Sequence, residues 1–300
     1  MSRRQGRLAI ACCREGPNAG PDNLFPDIDA VLLQAALEEL GIESVLVSWD
    51  DDRQRWDSFD AVVISSTWDA VDRPADYIEW VRVVHGSSPL LNAAVIVEAT
   101  LDKRFLGALP HAETLLPKTS FVMPGDGWDP PSETFVVKPM ISGGGRETAM
   151  YGVDELQAAR DHVGRLHDRG TGVIVQEHVA AIEGRGEIKH VFIGGRFSHA
   201  IRTGPLLRPG VGVLERPWEV PTGADPVQPT EAELDFATAA LDALQAGFEE
   251  PIVYARVDVV SRSREDVVLM EIEAIDPSLS LWASADAPAQ LAREIAHSIG

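Results

Sequence analysis

Tyr254-Ala-Arg-Val-Asp258-Val-Val and Val267-Val-Leu-Met-Glu271-Ile-Glu273 read as two strands, and the polar linker Ser261-Arg-Ser-Arg-Glu-Asp266 reads as their hairpin turn. Folding about a midpoint near Arg264 and Glu265 sets Asp258 opposite Glu271 and Arg256 opposite Glu273. Strand side chains alternate faces, so these four residues share one face. Three carboxylates converging on apolar strands repel one another unless a cation sits between them. Hard oxygen ligands at this density suit Mg²⁺, most often Mg²⁺ held together with phosphates. The pattern also fits a solvated strand face with cross-strand Arg–Glu pairs. A one-residue slip in register would send one strand's acids to the other face.

The chain has 300 residues, enough for one compound domain or two to three subdomains. Its apolar and charged fractions are those of a globular protein. A net charge of −21 and a pI near 4.7 argue against nucleic-acid binding through phosphates and against anionic membranes. An anionic nucleotide would need a local basic pocket and a metal. The basic start, Met1-Ser-Arg-Arg-Gln-Gly-Arg7, leads into an apolar run too short for a signal segment, and no stretch spans a membrane. The two cysteines, Cys12 and Cys13, are adjacent and expected to stay reduced, which points to a cytoplasmic protein. No zinc spacing, His-Glu-x-x-His or Gly-x-Ser-x-Gly occurs.

Outward from the hairpin, the first third alternates strands and helices. Leu8 to Cys12, Ile42 to Trp49 and Phe59 to Ile64 read as strands. Asp27 to Leu40 and Arg73 to Val84 read as helices. The alternation predicts a small parallel sheet, with Ser65-Ser-Thr-Trp-Asp69 at the edge where such sheets present ligand groups. No Gly-x-Gly-x-x-Gly follows the first strand, so this is not a dinucleotide-binding unit. Further on, Thr134 to Pro139 and Gly172 to Glu177 read as strands, and Val153 to His167 as a helix. His190 to Ile201 reads as a hairpin turning at Gly194-Gly195. A Pro/Gly-rich loop is expected from Gly204 to Pro229, then helices from Glu231 to Leu244 and from Ala287 to His297.

Lys138 ends the strand Phe135-Val-Val-Lys138-Pro139, directly before Ser142-Gly-Gly-Gly145. A lysine on an apolar strand is costly to bury without a partner. Phosphate is the natural one, because glycine N–H groups in the following loop can approach phosphate oxygens closely. An exposed turn with a snorkelling lysine is the plainer alternative. Gln176-Glu177-His178-Val179 ends a strand that could offer backbone groups to a purine edge, and Glu187 could accept from ribose hydroxyls. His178, His190 and His199 read as ordinary polar or half-buried histidines.

The order strand-Lys, glycine loop, Glu-x-x-Val hinge, Arg-x-Asp and Glu-x-Glu resembles the ATP-grasp carboxylate–amine ligases. Within them it is similar to the glutathione-synthetase-like and cycloserine-biosynthesis cyclo-ligase-like branch. Asp57 to Asp69, Asp102-Lys-Arg104, Gly194 to Pro205 and Glu271 to Ser278 carry that resemblance. It implies an α/β (α+β) fold: an N-terminal parallel α/β domain over 1–115, a central subdomain with the glycine-rich lid over 116–180, and a C-terminal subdomain with the Mg²⁺-binding hairpin over 181–300. ATP would sit between the last two.

By the same resemblance Lys103 and Lys138 would hold the α- and β-phosphates, under a lid of Gly143, Gly144 and Gly145. Glu177 and Val179 would bind adenine, Glu187 the ribose, and Asp258, Glu271 and Glu273 the Mg²⁺. Arg256 and Arg202 would stabilise the transferring phosphate and the tetrahedral intermediate. The implied activity is an ATP-dependent ligase that activates a small carboxylate, an amino acid or short peptide, and joins it to an amine or cyclises it. A small-molecule kinase and a non-catalytic nucleotide-binding regulator are the alternatives. Dimers are common among such ligases.

The chain departs from the pattern in three places. Glu273 stands where many members have Asn, although the cyclo-ligase-like branch shares the acid. Ser65 and Ala70 flank Ser-Thr-Trp-Asp where the branch usually has Arg and Tyr. Lys189 stands where the glutathione-synthetase type has Arg, a point charge in place of a bidentate fork.

Overall fold

The computed structural model describes residues 6–16, 19–20, 22–215 and 222–299; the basic residues 1–5 and the stretch 216–221 lie outside the described residues. Three sheets follow one another along the chain. The first is parallel, in the order β2-β1-β3-β4, with β1 Arg7–Cys12, β2 Glu43–Ser48, β3 Ala61–Ile64 and β4 Leu90–Leu91. Leu8 through Cys12 are wholly buried, as a parallel strand covered on both faces requires. Asp27 caps the helix Ile28–Glu39 by accepting from the Ala30 N–H at 2.9 Å, and the chain leaves that helix through left-handed Gly41.

The second sheet is antiparallel, in the order β5-β8-β6-β7, with β5 Thr119–Val122, β6 Phe135–Pro139, β7 Ala149–Tyr151 and β8 Val173–Glu177. Helix Leu156–Asp168 packs Ala159, Val163 and Leu166 against Phe135, Val137 and Val175. The third runs β11-β10-β9-β12-β13, with β9 Glu187–Ile193, β10 Arg196–Thr203, β11 Asp225–Val227, β12 Tyr254–Ser261 and β13 Val267–Glu273. Arg256 pairs with Glu273 and Asp258 with Glu271, the register read from the hairpin pattern; a β-irregularity follows Asp258. Short β5, β7 and β11 carry too few alternating residues to stand out in the sequence. β11 falls inside the stretch expected as one loop.

Both faces of the third sheet are used. Ile188, Phe192, Val257 and Val259 share a core with Ala237, Leu241 and Leu244 of helix Glu231–Gln245. On the opposite face, Val191, Ile193 and Tyr254 pack against Leu33 and Leu37 of the first layer and against Leu291 and Ile295 of the last helix, Ala287–Ile299. Farther along this second face lie Lys189, Arg256 and Asp258. The core that fixes the first layer therefore also fixes the charged end of the sheet.

Asn92 joins the layers. Wholly buried, it donates to the carbonyls of Tyr254 at 2.8 Å and Ala274 at 2.7 Å, and accepts from the Val253 N–H at 2.5 Å. Asn92→Ala leaves two carbonyls and an N–H without partners and should cost about 2–4 kcal/mol in urea denaturation.

In the central layer the Tyr151 hydroxyl lies 3.0 Å from Nδ1 of buried His162. Burial, helped by nearby Arg165, depresses His162 from 6.5 to about 4. The folded state thus favours the neutral ring. Its stabilising contribution is complete above pH 6.5 and is lost as pH falls towards 4. Melting temperatures measured from pH 7 to 4 should show that acid limb, and His162→Leu should flatten it.

Candidate active site

The hairpin's charged face is organised in cross-strand rows. Lys189, Asp258 and Glu271 lie side by side on β9, β12 and β13; Val191, Arg256 and Glu273 form the next row. Arg256 turns back along its own strand and forks onto Asp258, with Nε–Oδ1 at 2.8 Å and Nη2–Oδ2 at 2.9 Å. Its Nη1 stands 3.1 Å from a Glu273 oxygen and donates to the Ser278 carbonyl at 3.4 Å. Lys189 reaches Asp258 at 3.7 Å and Glu187 at 3.4 Å. Lys103 approaches Glu271 at 3.2 Å and also donates to the Ser142 carbonyl at the root of the glycine loop. Repulsion among the hairpin acids is thus met by Arg256, Lys189 and Lys103.

The carboxyls are not equivalent. Burial alone would raise Asp258 and Glu271. Arg256 and Lys189 outweigh it for Asp258, and Lys103 and Lys138 for Glu271, so both are held below the usual carboxylate range. Glu273 goes the other way. Burial, reinforced by Glu271 and Asp258, pushes it up to about 7 against the pull of Arg256. A carboxyl that holds a proton so tightly is one whose surroundings carry too little positive charge. Among the described residues no three His, Cys, Asp or Glu side chains stand in metal-binding geometry. The donor set, carboxylate oxygens with an unmet demand for positive charge, fits a hard divalent cation.

Lys138 sits across from this face. Its Nζ donates to Gln176 Oε1 at 3.3 Å, and the Gln176 amide is oriented by Thr119 at 2.8 Å. Among the described residues no carboxylate lies within 4.0 Å of it. Burial depresses its pKa; Lys103 adds to that, while Glu271 opposes it. Gly143, Gly144 and Gly145 follow in the turn between β6 and β7. Gly144 and Gly145 have φ of +60° and +79°, a backbone that side chains rarely adopt.

The remaining expected residues lie as follows. Glu187 opens β9 beside Lys189. Val179 is buried against Val260 and Val268, with Met270 alongside. The Glu177 side chain is occupied, 3.2 Å from Arg262 and accepting from the Lys118 N–H. Arg202 stands apart from the cluster. It pairs with Ile188, whose side chain faces the core on the other side of the sheet, and its guanidinium lies 3.6 Å from Asp225.

The loop expected to face substrate is mostly structural. Ser66, Thr67 and Ala70 are buried. Asp69 accepts from Trp49 Nε1 at 2.7 Å and pairs with Arg73, which leaves Trp68 as the exposed aromatic, edge-on to Phe25 at 6.0 Å. Burial raises both Cys12 and Cys13, so neither is a thiolate at neutral pH.

Sequence reasoning missed Asp276. It accepts from the Ser66 N–H at 2.7 Å and also binds the Thr67 N–H, tying the first layer to the segment just after Glu273. A separation of 210 residues leaves no local signal for that contact. Stripping the guanidinium from Asp258 and Glu273 with Arg256→Met should cost about 3–5 kcal/mol of unfolding free energy, read from urea midpoints.

Known proteins resemble this chain in sequence and fold. A family model for the N-terminal domain of D-cycloserine synthetase DcsG matches residues 8–92. The cycloserine biosynthesis protein DcsG of Streptomyces lavendulae is 31% identical over 286 residues, covering 90% of this chain and 93% of that protein. The crystal structure of D-cycloserine synthetase DcsG superposes with a TM-score of 0.87 at 29% identity, over 98% of this chain and 100% of that one. Two more distant structures share the fold. D-alanine–D-alanine ligase from Bacillus anthracis has a TM-score of 0.69 at 14% identity, over 98% and 97% of the two chains. The ATP-grasp ligase PsnB, complexed with minimal precursor, Mg and ADP, has a TM-score of 0.61 at 15% identity, over 100% and 99%. The chain belongs to the D-cycloserine synthetase family of ATP-grasp ligases and is an ATP-dependent carboxylate–amine ligase.

Proposed function

We propose that this ligase binds MgATP between the central sheet and the hairpin face, and there activates the carboxylate of a small amino acid or short peptide. The observation that carries this reading is Lys138, a half-buried cation with a neutral amide for its partner, on the strand that leads into the glycine loop and within electrostatic reach of Glu271. Lys103 and Lys138 hold phosphate oxygens, and Gly143, Gly144 and Gly145 cover them. The backbone of Glu177 and Val179 meets the purine, and Glu187 takes the ribose. Asp258, Glu271 and Glu273 hold Mg²⁺, which supplies charge neutralisation at the phosphates.

The substrate carboxylate oxygen attacks the γ-phosphorus, and the bond to the leaving ADP oxygen breaks. The product is an acyl phosphate. An amine nitrogen, on a second molecule or on the same one, then attacks the carbonyl carbon. The C–O bond to phosphate breaks, phosphate leaves with the electron pair, and the nitrogen loses its proton. Arg256 faces the developing charge and is held rigid by Asp258, so its guanidinium needs no reorganisation. The chain positions and neutralises; it forms no covalent intermediate of its own. Similarity to a cycloserine-forming relative favours ring closure within one bifunctional amino acid.

Release of ADP and phosphate, measured across amino acids and amines singly and in pairs, should require Mg²⁺ and one bifunctional substrate or one particular pair. A condensed or cyclised product should accompany free phosphate; a stable phosphorylated product would overturn the ligase chemistry at this site. Glu271→Gln and Lys138→Met should each lower turnover at least about 100-fold with circular dichroism unchanged. Full activity in either would remove that residue from the site.

A further inference from the structure

Among the described residues the glycine loop meets the first layer at the turn Trp68–Asp72, a segment that the ligation chemistry leaves unused. Arg146, directly after Gly145, forms an ion pair with Asp72. Next to that pair, a Cβ placed on Gly143 would stand 3.6 Å from Val71 Cγ1, so the loop backbone packs on Val71. Val71 and Asp72 close the short 3₁₀ turn Trp68–Asp72. That turn is rigid. Asp69 is fixed by Trp49 and Arg73, and Asp276 binds the Ser66 and Thr67 N–H groups just before it. Asp276 itself lies three residues after Glu273. A continuous set of contacts therefore runs from the hairpin acids through Asp276 and the turn to Asp72 and the loop.

We propose that Asp72 is a positioning residue for the ligation: its ion pair with Arg146 docks the glycine lid on the first layer, in register with the carboxylate-bearing hairpin. A second contact, at the loop's other end, is of a different kind. Lys103 holds the Ser142 carbonyl and Glu271 at once. A phosphate that draws Lys103 away would loosen the lid at Ser142, and the Arg146–Asp72 pair keeps its far end seated. A seated lid keeps water from an acyl phosphate, so loss of the pair shows as futile ATP consumption rather than as weak nucleotide binding. Asp72 is about half exposed, 54% against 28% for Arg146, which sets a modest scale for the effect.

This inference rests on the nucleotide site described above, and its test separates the two. Hydrogen exchange of the peptide covering 142–148 requires no nucleotide. Asp72→Asn should speed its exchange about two- to fivefold, the range an exposed ion pair commands. Asp72→Lys should speed it further, and Asp72→Lys combined with Arg146→Glu should return it close to wild type. Unchanged exchange in Asp72→Asn, or failure of the charge swap to restore protection, overturns the docking role. In parallel, Mg²⁺-AMP-PNP binding by calorimetry should be within about twofold of wild type in Asp72→Asn, while ADP released per product formed rises by a similar two- to fivefold factor. An unchanged ratio, or an equal loss of nucleotide affinity, also overturns it. If wild type itself fails to bind Mg²⁺-AMP-PNP, the nucleotide site is refuted, and the exchange data still report whether the ion pair docks the lid.

Discussion

The buried fork of Arg256 onto Asp258 is the constraint on which the site depends. It binds both oxygens of Asp258 and shares its remaining nitrogen between Glu273 and the Ser278 carbonyl. One guanidinium cannot balance three acids, so Lys189 and Lys103 are recruited from another strand and another layer. Glu273 is still left protonated up to about pH 7. The hairpin is thus built with an electrostatic deficit that a divalent cation and the phosphates accompanying it would close. Lys138 is the complementary surplus, a half-buried cation hydrogen-bonded to an amide rather than a carboxylate.

Three layers have to meet for those charges to face each other. The third sheet does this with a single face, apolar at Val191, Ile193 and Tyr254, where it packs on the first layer, and charged at Lys189, Arg256 and Asp258. Polar contacts then fix the angle between the layers. Asn92 satisfies the backbone around Tyr254 and Ala274, and Asp276 binds the turn after β3. Asp29 accepts from the Ser280 and Leu281 N–H groups at 2.8 and 2.7 Å, while His199 meets the Leu279 carbonyl from the other side at 2.9 Å. The loop carrying exposed Ser278 is therefore held by its backbone, with the Ser278 carbonyl accepting from Arg256.

Local pattern made much of this legible. Strand alternation about a midpoint near Arg264 and Glu265 gives the pairing of Asp258 with Glu271, while the pairs nearer the turn, Val259 with Leu269 through Ser261 with Val267, are shifted from it by one residue. The parallel sheet, its two flanking helices and the strand that ends in Lys138 follow from apolar period and from breakers at Gly41 and Pro139. Contacts distant in sequence could not be read this way. Nothing near Ser66 or Thr67 announces Asp276, and nothing near Lys138 announces that Gln176, rather than an acid, will meet it. Arg202 shows the limit within a single hairpin. Its residue type suits phosphate, but its pairing with Ile188 turns it to the far face of the sheet. Ser65 to Ala70 was legible as the edge of a sheet, yet its buried hydroxyls and anchored Asp69 leave Trp68 as the exposed side chain.

On the reading proposed above, the hairpin acids and the two lysines form one site completed by a divalent cation and a nucleotide together. Calorimetric titration of ATP into the protein, with Mg²⁺ and then with a chelator in its place, tests it most directly. A single site is expected, with an affinity that collapses when Mg²⁺ is removed. Absence of binding, or binding that the chelator leaves unchanged, would contradict it.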